Sequence, residues 1–232
     1  MISIVSAIWQ RPELTEIFLD SLVRYRKDYG ITAVVAGSEG ESTRQACVSR
    51  GIGYVETPNQ PLSAKFNKAS MEAWTKYKPD GLMIMGSDDF VNERLIQHYL
   101  LNLKQGVDVL GFRDCYFYNA KTKEAVYWPG YTVPHRRGES IGMARLLSAK
   151  VFKRLRLRLW SESTAGLDYL MTQRLKKYTN FKRKILSVKD DNYILVDIKG
   201  FGNFCEIAQY ETEPINAEVF DTIPEFKQIK KL

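Results

Sequence analysis

The feature that most constrains this chain is the regular alternation of short apolar runs with helical stripes over its first 105 residues. The apolar runs predict four strands, and each strand is followed by a segment whose apolar residues recur at helical spacing. The predicted strands are 2–8, 31–35, 54–55 and 82–85, and the predicted helices are 13–25, 42–50, 63–77 and 94–103. Such alternation builds an α/β fold with a mixed, mainly parallel central sheet flanked by helices. The ligand crevice of such a sheet lies beyond the carboxyl ends of its strands.

The pattern changes after residue 105, where shorter strand-like pieces replace the alternation. Strands are predicted at 107–112, 116–119 and 193–198, and helices at 145–155 and 165–178. A length of 232 residues fits one compact α/β domain, and a second full domain would be cramped. We therefore expect a single domain over 1–232.

The composition favours a cytoplasmic protein. No stretch approaches the roughly 18 apolar residues that cross a bilayer, and the first residues lack the basic region and cleavage site of a signal peptide. The three cysteines, Cys47, Cys115 and Cys205, are an odd number without CxxC spacing. This pattern argues against a disulfide framework and against a zinc cluster.

The positive charge is concentrated in the second half of the chain. Residues 1–120 carry 13 Lys and Arg against 14 Asp and Glu, whereas residues 121–232 carry 21 against 13, for a net charge of +7 overall. This asymmetry predicts a face that meets an anionic partner, such as phosphates, lipid head groups or nucleic acid. The alternative is a solvated, Lys-rich surface without a partner.

Two adjacent carboxylates, Asp88 and Asp89, directly follow the apolar run at 82–85. Two like charges side by side are costly unless a positive charge lies next to them, which indicates a bound metal ion. Hard oxygen ligands suit Mg²⁺ or Mn²⁺, which commonly complete their coordination shell with waters and substrate phosphates. The alternative is that Asp88 or Asp89 only caps the helix that follows.

Five segments stand in a characteristic order along the chain. They are 8–12 (Ile-Trp-Gln-Arg-Pro), 61–69 (Pro-Leu-Ser-Ala-Lys-Phe-Asn-Lys-Ala), 86–89 (Gly-Ser-Asp-Asp), 141–148 and 166–168 (Gly-Leu-Asp). Together they resemble the motifs of GT-A glycosyltransferases of the family-2 type, over roughly residues 2–175. The segment 86–89 is similar to the Asp-x-Asp-Asp signature of that family, and 141–148 is similar to the segment that shapes its donor-sugar and acceptor pocket. In character the chain looks like the enzymes of phages and bacteria.

The resemblance implies a metal-dependent glycosyltransferase that moves a sugar from a nucleotide-sugar donor to an acceptor hydroxyl, with Mn²⁺ or Mg²⁺ as cofactor. It implies a nucleotide-binding half at 1–105 and an acceptor-binding half at 106–232. Lys65 takes the place of the family's arginine near the nucleotide. The donor-binding residues implied in this way are Ile8, Arg11, Lys65, Asp88, Asp89 and Arg145, of which Asp88 and Asp89 would hold the metal.

Asp168 takes the place of the family's catalytic carboxylate. In an inverting transfer this carboxylate accepts the proton of the acceptor hydroxyl as the hydroxyl attacks the sugar. The alternative is that Asp168 is an N-cap for the helix through Leu175. Two further segments each allow two interpretations. The segment 135–138 (His-Arg-Arg-Gly) is either a basic loop that closes over phosphates or a solvated turn. The segment 199–203 (Lys-Gly-Phe-Gly-Asn) is either a phosphate contact or a turn.

The chain departs from the family's pattern in three places. Ala36-Gly37-Ser38-Glu39 replaces the aspartate that holds the base in many relatives, so the base is not specified. Gly86 replaces the first aspartate of the signature, and no histidine follows His135 to act as a late metal ligand.

Three functions remain open on the sequence. The first is the glycosyltransferase, with a glycan or a hydroxymethylated DNA base as acceptor. The second is a non-catalytic nucleic-acid-binding module, which the basic segments 150–158 and 182–184 favour. The third is a nucleotidyltransferase, although the chain lacks the Gly-rich, basic phosphate loop expected near residue 10.

Overall fold

The structure is a computed structural model that describes residues 1–203 and 206–232. Strands and helices alternate in its first half, as the sequence predicts. The strands are β1 (Ile2–Ala7), β2 (Thr32–Gly37), β3 (Gly53–Glu56), β4 (Gly81–Ile84), β5 (Asp89–Val91), β6 (Val109–Phe112), β7 (Cys115–Asn119), β8 (Ala125–Trp128), β9 (Arg145–Ser148), β10 (Arg183–Leu186), β11 (Leu195–Lys199) and β12 (Glu213–Pro214). The helices are α1 (Pro12–Tyr29), α2 (Glu41–Ser49), α3 (Leu62–Tyr77), α4 (Glu93–Lys104), α5 (Ala149–Arg154), α6 (Leu167–Lys176), α7 (Val188–Asp191) and α8 (Phe226–Ile229).

A seven-stranded sheet forms the centre of the molecule, in the order β10-β6-β9-β4-β1-β2-β3. Strands β4, β1, β2 and β3 are parallel neighbours, and β10 is parallel to β6, whereas β9 is antiparallel to both β4 and β6. The predicted fold class, a mixed and mainly parallel sheet flanked by helices, is therefore confirmed. The parallel strands end on one edge of the sheet, where ligands bind in open α/β folds.

The two faces of this sheet bury alternate side chains of each strand, because successive residues of a strand point to opposite faces. In β1, Ile2 and Ile4 belong to the core that includes Phe18 of α1. Val5 belongs to the opposite core, which α3, α5 and α6 cover with side chains such as Phe66. Helices on both faces explain why β4 is buried along its whole length and β1 along all but its last residue.

A second sheet of five strands, in the order β12-β8-β7-β11-β5, lies against the first core. Strand β5 begins at Asp89, immediately after the loop that leaves β4. Strand β11 pairs antiparallel with β5 and places Asp197 opposite Asp89. This pairing brings a residue from near the end of the chain to the carboxyl edge of the central sheet.

One predicted helix is wrong at its start. The segment predicted as a helix at 145–155 begins with strand β9, and the helix α5 starts only at Ala149. The apolar residues Leu146 and Leu147 are compatible with a helix or a strand. The segment forms a strand because it lies between β4 and β6, where pairing with both neighbours satisfies its backbone hydrogen bonds on both sides. Ser148 caps α5 by accepting a hydrogen bond from the Val151 backbone amide.

Two expectations about composition can be compared with the described residues. Cys47 and Cys115 are buried, free thiols, and Cys205 lies outside the described residues. Over the described part of the chain, no helix has both the length and the apolar character that a membrane crossing needs.

Candidate active site

A cavity of about 420 Å³ opens at the carboxyl edge of the central sheet, which is where the sequence places the ligand crevice. This volume falls within the range of pockets that hold small ligands and cofactors. The loop after β1 and the loop after β4 form its walls, together with the first turns of α3 and the segment 201–203. Ile8, Arg11, Lys65 and Asp88, four of the residues that the resemblance assigns to donor binding, all line it.

Three carboxylates converge at one side of this cavity. Asp88, Asp89 and Asp197 each offer an oxygen, and these oxygens all lie within 4.8 Å of one another. The pairing of β5 with β11 fixes two of them, and the Asp88 carbonyl accepts a hydrogen bond of 2.9 Å from the Ile198 amide. Asp88 and Asp89 come from the predicted metal site, whereas sequence reasoning missed Asp197. Its signal was an acidic residue inside the apolar run Leu195–Ile198.

Gly86 makes room for this cluster. A Cβ at this position would lie 2.5 Å from Asp88 Oδ1 and 3.2 Å from Asp89 Oδ2, so a larger residue would push the carboxylates apart. The Gly86 amide donates a hydrogen bond of 2.6 Å to Asp89 Oδ2. Gly86 stands where the glycosyltransferases that the sequence resembles have the first aspartate of their signature. In this chain the third carboxylate of the cluster, Asp197, comes from β11 instead.

The cluster is electrostatically unfavourable without a cation. Burial raises the pKa of Asp89 well above its usual value, and the neighbouring charges of Asp88 and Asp197 raise it further. Burial and the charge of Asp88 raise the pKa of Asp197 to about 7, although Lys199 donates a hydrogen bond of 2.6 Å to it. Asp197 Oδ1 is buried and has no hydrogen-bond partner within the described residues. A buried, unpaired carboxylate oxygen is costly unless a ligand satisfies it.

Two cavity residues, Arg11 and Asn203, hold the Asp88 carboxylate in place. Arg11 Nη1 donates a hydrogen bond of 2.6 Å to Asp88 Oδ2, and Arg11 Nη2 donates one of 3.1 Å to Ser87. The Asn203 amide donates to the same Asp88 oxygen at 2.9 Å. The segment 199–203, for which the sequence left a phosphate contact or a turn open, therefore contributes directly to the cavity wall.

The alternative that Asp88 or Asp89 caps the following helix is wrong. The N-cap of α4 is Asn92, whose side chain accepts a hydrogen bond of 3.2 Å from the Leu95 amide. The two aspartates precede it and point into the carboxylate cluster. Their position is explained by the site and not by helix capping.

Lys65 lies at the base of the cavity with only 1% of its surface exposed. Its ammonium group donates to the Ile8 carbonyl (2.8 Å), Ser38 Oγ (3.0 Å) and Asn59 Oδ1 (2.8 Å). An ammonium group has three N–H donors, so these contacts use all of them. Burial lowers the pKa of Lys65. Lys65 therefore ties the loops after β1, β2 and β3 together at the cavity that the resemblance assigns to the nucleotide.

Asp168 does not line this cavity. It lies in the first turn of α6, whose N-cap is Gly166, so the N-cap alternative for Asp168 is also wrong. Its Oδ2 accepts hydrogen bonds from the Tyr131 hydroxyl and, at 2.9 Å, from Arg136. Burial alone would raise the pKa of Asp168, but the hydrogen bonds from Tyr131 and Arg136 and the charge of Arg136 outweigh it, and the pKa is lowered. A carboxylate of this kind is ionised at neutral pH.

The structure does not support a donor contact for Arg145. This residue is 1% exposed and lies outside the cavity. Its guanidinium donates to the carbonyls of Ile141 (3.0 Å) and Asp168 (3.2 Å) and to the Thr172 hydroxyl. Arg145 satisfies backbone carbonyls around 140–142 and at the start of α6, so it positions Asp168 through packing and hydrogen bonds.

Comparisons with known proteins define the fold. No protein-family model matches the sequence, and no curated protein matches it significantly. Among solved structures, residues 1–349 of S. aureus TarS give a TM-score of 0.60 at 17% identity, covering 85% of this chain and 60% of that chain. A longer structure of S. aureus TarS gives 0.58 at 16% identity, covering 85% and 36%.

A third structure adds a ligand. The mannosyltransferase PcManGT from Pyrobaculum calidifontis, solved in complex with GDP-Man and Mn²⁺, gives a TM-score of 0.55 at 13% identity, covering 85% of this chain and 56% of that chain. The chain thus spans about three fifths or less of the length of these three structures. At these identities the likeness concerns the fold. The α/β arrangement of this chain is a GT-A-like glycosyltransferase fold, as its motifs predict.

Proposed function

We propose that this protein is a metal-dependent glycosyltransferase that transfers a sugar from a nucleotide-sugar donor to an acceptor hydroxyl. The observation that carries the proposal is the Asp88, Asp89 and Asp197 cluster at a cavity of ligand size, within the fold of a mannosyltransferase that binds GDP-Man and Mn²⁺. The proposal includes the finer expectations from the sequence: a family-2 character, a phage or bacterial type of enzyme, a cytoplasmic location, and nucleotide-binding and acceptor-binding halves.

The residues fit a hard divalent cation. Asp88, Asp89 and Asp197 would hold Mn²⁺ or Mg²⁺, because oxygen ligands suit both ions and Asp197 Oδ1 lacks any other partner among the described residues. Such an ion stabilises the negative charge that develops on a departing nucleoside diphosphate. The chain's own contributions concern the placement of the donor and the movement of the acceptor proton.

Arg11 is the residue best placed to contact the donor diphosphate. Lys65 has no free N–H donor, whereas Arg11 lines the cavity and makes its contacts with Asp88 and Ser87 at the rim. A guanidinium group presents several donors in one plane and suits phosphate oxygens. Ile8 contributes apolar contact on the cavity wall, and Asp89 acts through the metal because it does not line the cavity.

Asp168 is our proposed general base in an inverting transfer. It would accept the proton of the acceptor hydroxyl, which requires an ionised carboxylate, and its lowered pKa meets that requirement. Tyr131 and Arg136 occupy Oδ2, so the acceptor hydroxyl would approach Oδ1, which accepts a hydrogen bond of 2.8 Å from the Tyr169 amide. The proposed acceptor is a glycan or a hydroxymethylated DNA base.

Donor binding and product analysis test the proposal. The purified protein is screened by thermal shift with UDP, GDP and their sugar conjugates, with and without Mn²⁺, because a ligand that binds only the folded state raises its stability. We expect one nucleotide series to stabilise the protein in the presence of Mn²⁺, and Asp88→Asn to remove that effect. Release of a nucleoside diphosphate indicates glycosyl transfer. Release of pyrophosphate would instead indicate a nucleotidyltransferase, and nucleic-acid binding without any donor binding would indicate a non-catalytic module.

A further inference from the structure

Six exposed cations form a basic track on the face covered by α3 and α5. The track consists of Lys76, Lys78, Lys153, Arg154, Arg156 and Arg158. Lys78 and Lys153 lie over the same ring, with their ammonium groups 5.5 Å and 5.2 Å from the Trp74 centroid. In the parts of the chain that the structure describes, none of the six forms an ion pair with a carboxylate.

The track runs along α3 towards the cavity. The Phe152 ring contacts Trp74 near the end of α3, with centroids 5.9 Å apart, and the Trp160 ring contacts Phe66 nearer its start, at 5.6 Å. The Ser163 amide then donates a hydrogen bond of 2.9 Å to Ser63 Oγ. The chain from 152 to 163 is therefore antiparallel to α3 and covers about 16 Å of its length, at about 1.5 Å per residue. It ends beside Thr164, which lines the cavity.

This face is strongly basic. The segments 62–78 and 149–164 contain nine Lys and Arg against two acidic residues, Glu72 and Glu162. Two of the nine do not add free charge to the surface, because Lys65 is buried and Lys150 pairs with Asp108. Charge of one sign on one surface attracts a polyanion over a distance of several ångströms. The charge of this surface comes from both halves of the chain, since Lys76 and Lys78 precede residue 121 and the other four cations of the track follow it.

The chemistry of the track fits phosphates of a nucleic-acid backbone. Three of its residues are arginines, which bind phosphate oxygens with two N–H donors at once. The Trp74 ring already faces Lys78 and Lys153, and the Tyr178 ring faces Arg154 at 5.2 Å. Because cations of this chain lie over both rings, these rings are not free to stack on bases. Within the described residues of 62–78 and 149–164, Met71 is the one large apolar side chain that is exposed, which gives a bilayer little to hold.

We propose that the basic track binds the phosphodiester backbone of double-stranded nucleic acid without reading its bases. A length of about 16 Å corresponds to about five base-pair steps, at 3.4 Å per step along one strand. The inference goes beyond the proposed function because this binding needs neither the donor nor the metal. Arg158, the last cation of the track, precedes Thr164 on the cavity wall by six residues, so a bound duplex lies near the proposed donor site.

Fluorescence anisotropy with labelled 20-base-pair duplexes tests this surface in the full chain without nucleotide or metal. We expect binding to DNA duplexes of unrelated sequence with similar affinity, and a strong loss of affinity between 50 mM and 200 mM salt, because each phosphate contact releases a counterion. The variant Lys153→Gln, Arg154→Gln, Arg156→Gln should bind at least tenfold more weakly, with a salt slope smaller by about 1 for each contact removed.

A matched control removes the same charge elsewhere. Lys27, Lys121 and Lys231 are exposed and lie outside the track, so Lys27→Gln, Lys121→Gln, Lys231→Gln should bind almost as the parent protein does. Thermal unfolding verifies that both variants are folded. Equal loss of binding in the two variants, or no duplex binding at 50 mM salt, would overturn the proposal. The proposal would also be overturned if the protein sedimented with vesicles containing phosphatidylserine and did not bind duplexes. A duplex RNA arm distinguishes B-form from A-form backbones, and preference for either agrees with the proposal.

Discussion

Removal of the Arg11 side chain should have opposite effects on the binding of Mn²⁺ alone and of Mn²⁺ with a nucleotide. In the structure, Arg11 pairs with Asp88 at 2.6 Å, and the two side chains are only 16% and 19% exposed. A cation that binds the Asp88 carboxylate has to share it with this guanidinium. A diphosphate in the cavity would attract Arg11 away from the carboxylate. We therefore expect Arg11→Ala to tighten Mn²⁺ binding without nucleotide and to weaken nucleoside diphosphate binding with Mn²⁺.

The expected size of the first effect follows from two contributions. A hydrogen bond to a charged group contributes about 1.5–3 kcal/mol, and partial exposure favours the lower end. A guanidinium and a divalent cation on one carboxylate are about 5 Å apart, and even in a medium as polar as water they repel by on the order of 2 kcal/mol. Relaxation of Arg11 towards solvent removes part of this cost. We expect Mn²⁺ to bind Arg11→Ala about tenfold more tightly, which corresponds to about 1.4 kcal/mol.

Titration of Mn²⁺ monitored by electron paramagnetic resonance measures free ion directly and needs no enzymatic activity. Arg113→Ala is the matched control, because it also removes one arginine and one ion pair, that with Asp190, but lies outside the cavity. Its Mn²⁺ affinity should equal that of the parent protein. Unchanged or weaker Mn²⁺ binding by folded Arg11→Ala in the absence of nucleotide would refute the reasoning.

Three further predictions concern the cluster, a helix and the pH dependence of stability. Asp197→Asn removes a charge but keeps an oxygen, and should weaken Mn²⁺ binding at least tenfold in the same titration, while Asp221→Asn should not. Asn92→Ala removes the N-cap of α4 and should lower the free energy of unfolding in urea by about 1 kcal/mol; an unchanged midpoint would contradict the capping role. Burial and the charge of Lys184 lower the pKa of His98 below 6.5, so the unfolded chain takes up the proton first. The contribution of neutral His98 to stability should therefore be complete above pH 6.5 and decrease below it, and urea unfolding of His98→Asn should show a flatter dependence in that range.

Much of the site could be predicted because its parts have local signals. The apolar run before Asp88 and Asp89 and the helical stripe of α4 after them place two carboxylates at a strand end, whatever the rest of the chain does. Ile8, Arg11 and Lys65 come instead from the resemblance to the glycosyltransferase motifs, and the structure places all three on the cavity wall. The three N–H donors of Lys65 all bind the protein, which leaves none for a phosphate.

The remaining parts of the site depend on strand pairing between distant segments. Asp197 joins the cluster because β11 pairs with β5, more than a hundred residues earlier in the chain. Asn203 follows from the same pairing, since the turn after β11 returns the chain to Asp88. A pattern read along the chain contains no information about such partners, because strand periodicity is the same for any register and any neighbour.

By itself, the sequence determined the alternation of strands and helices, the pair of carboxylates at the strand end at 88–89 and the excess of positive charge in the second half. These features depend on side-chain periodicity and composition, which are local properties. Only the tertiary structure decided that 145–148 is a strand, that Arg145 is a buried positioning residue, and that the third carboxylate is Asp197. Each of these outcomes depends on which backbone and side-chain groups of distant segments satisfy one another, and that choice is made when the sheets assemble.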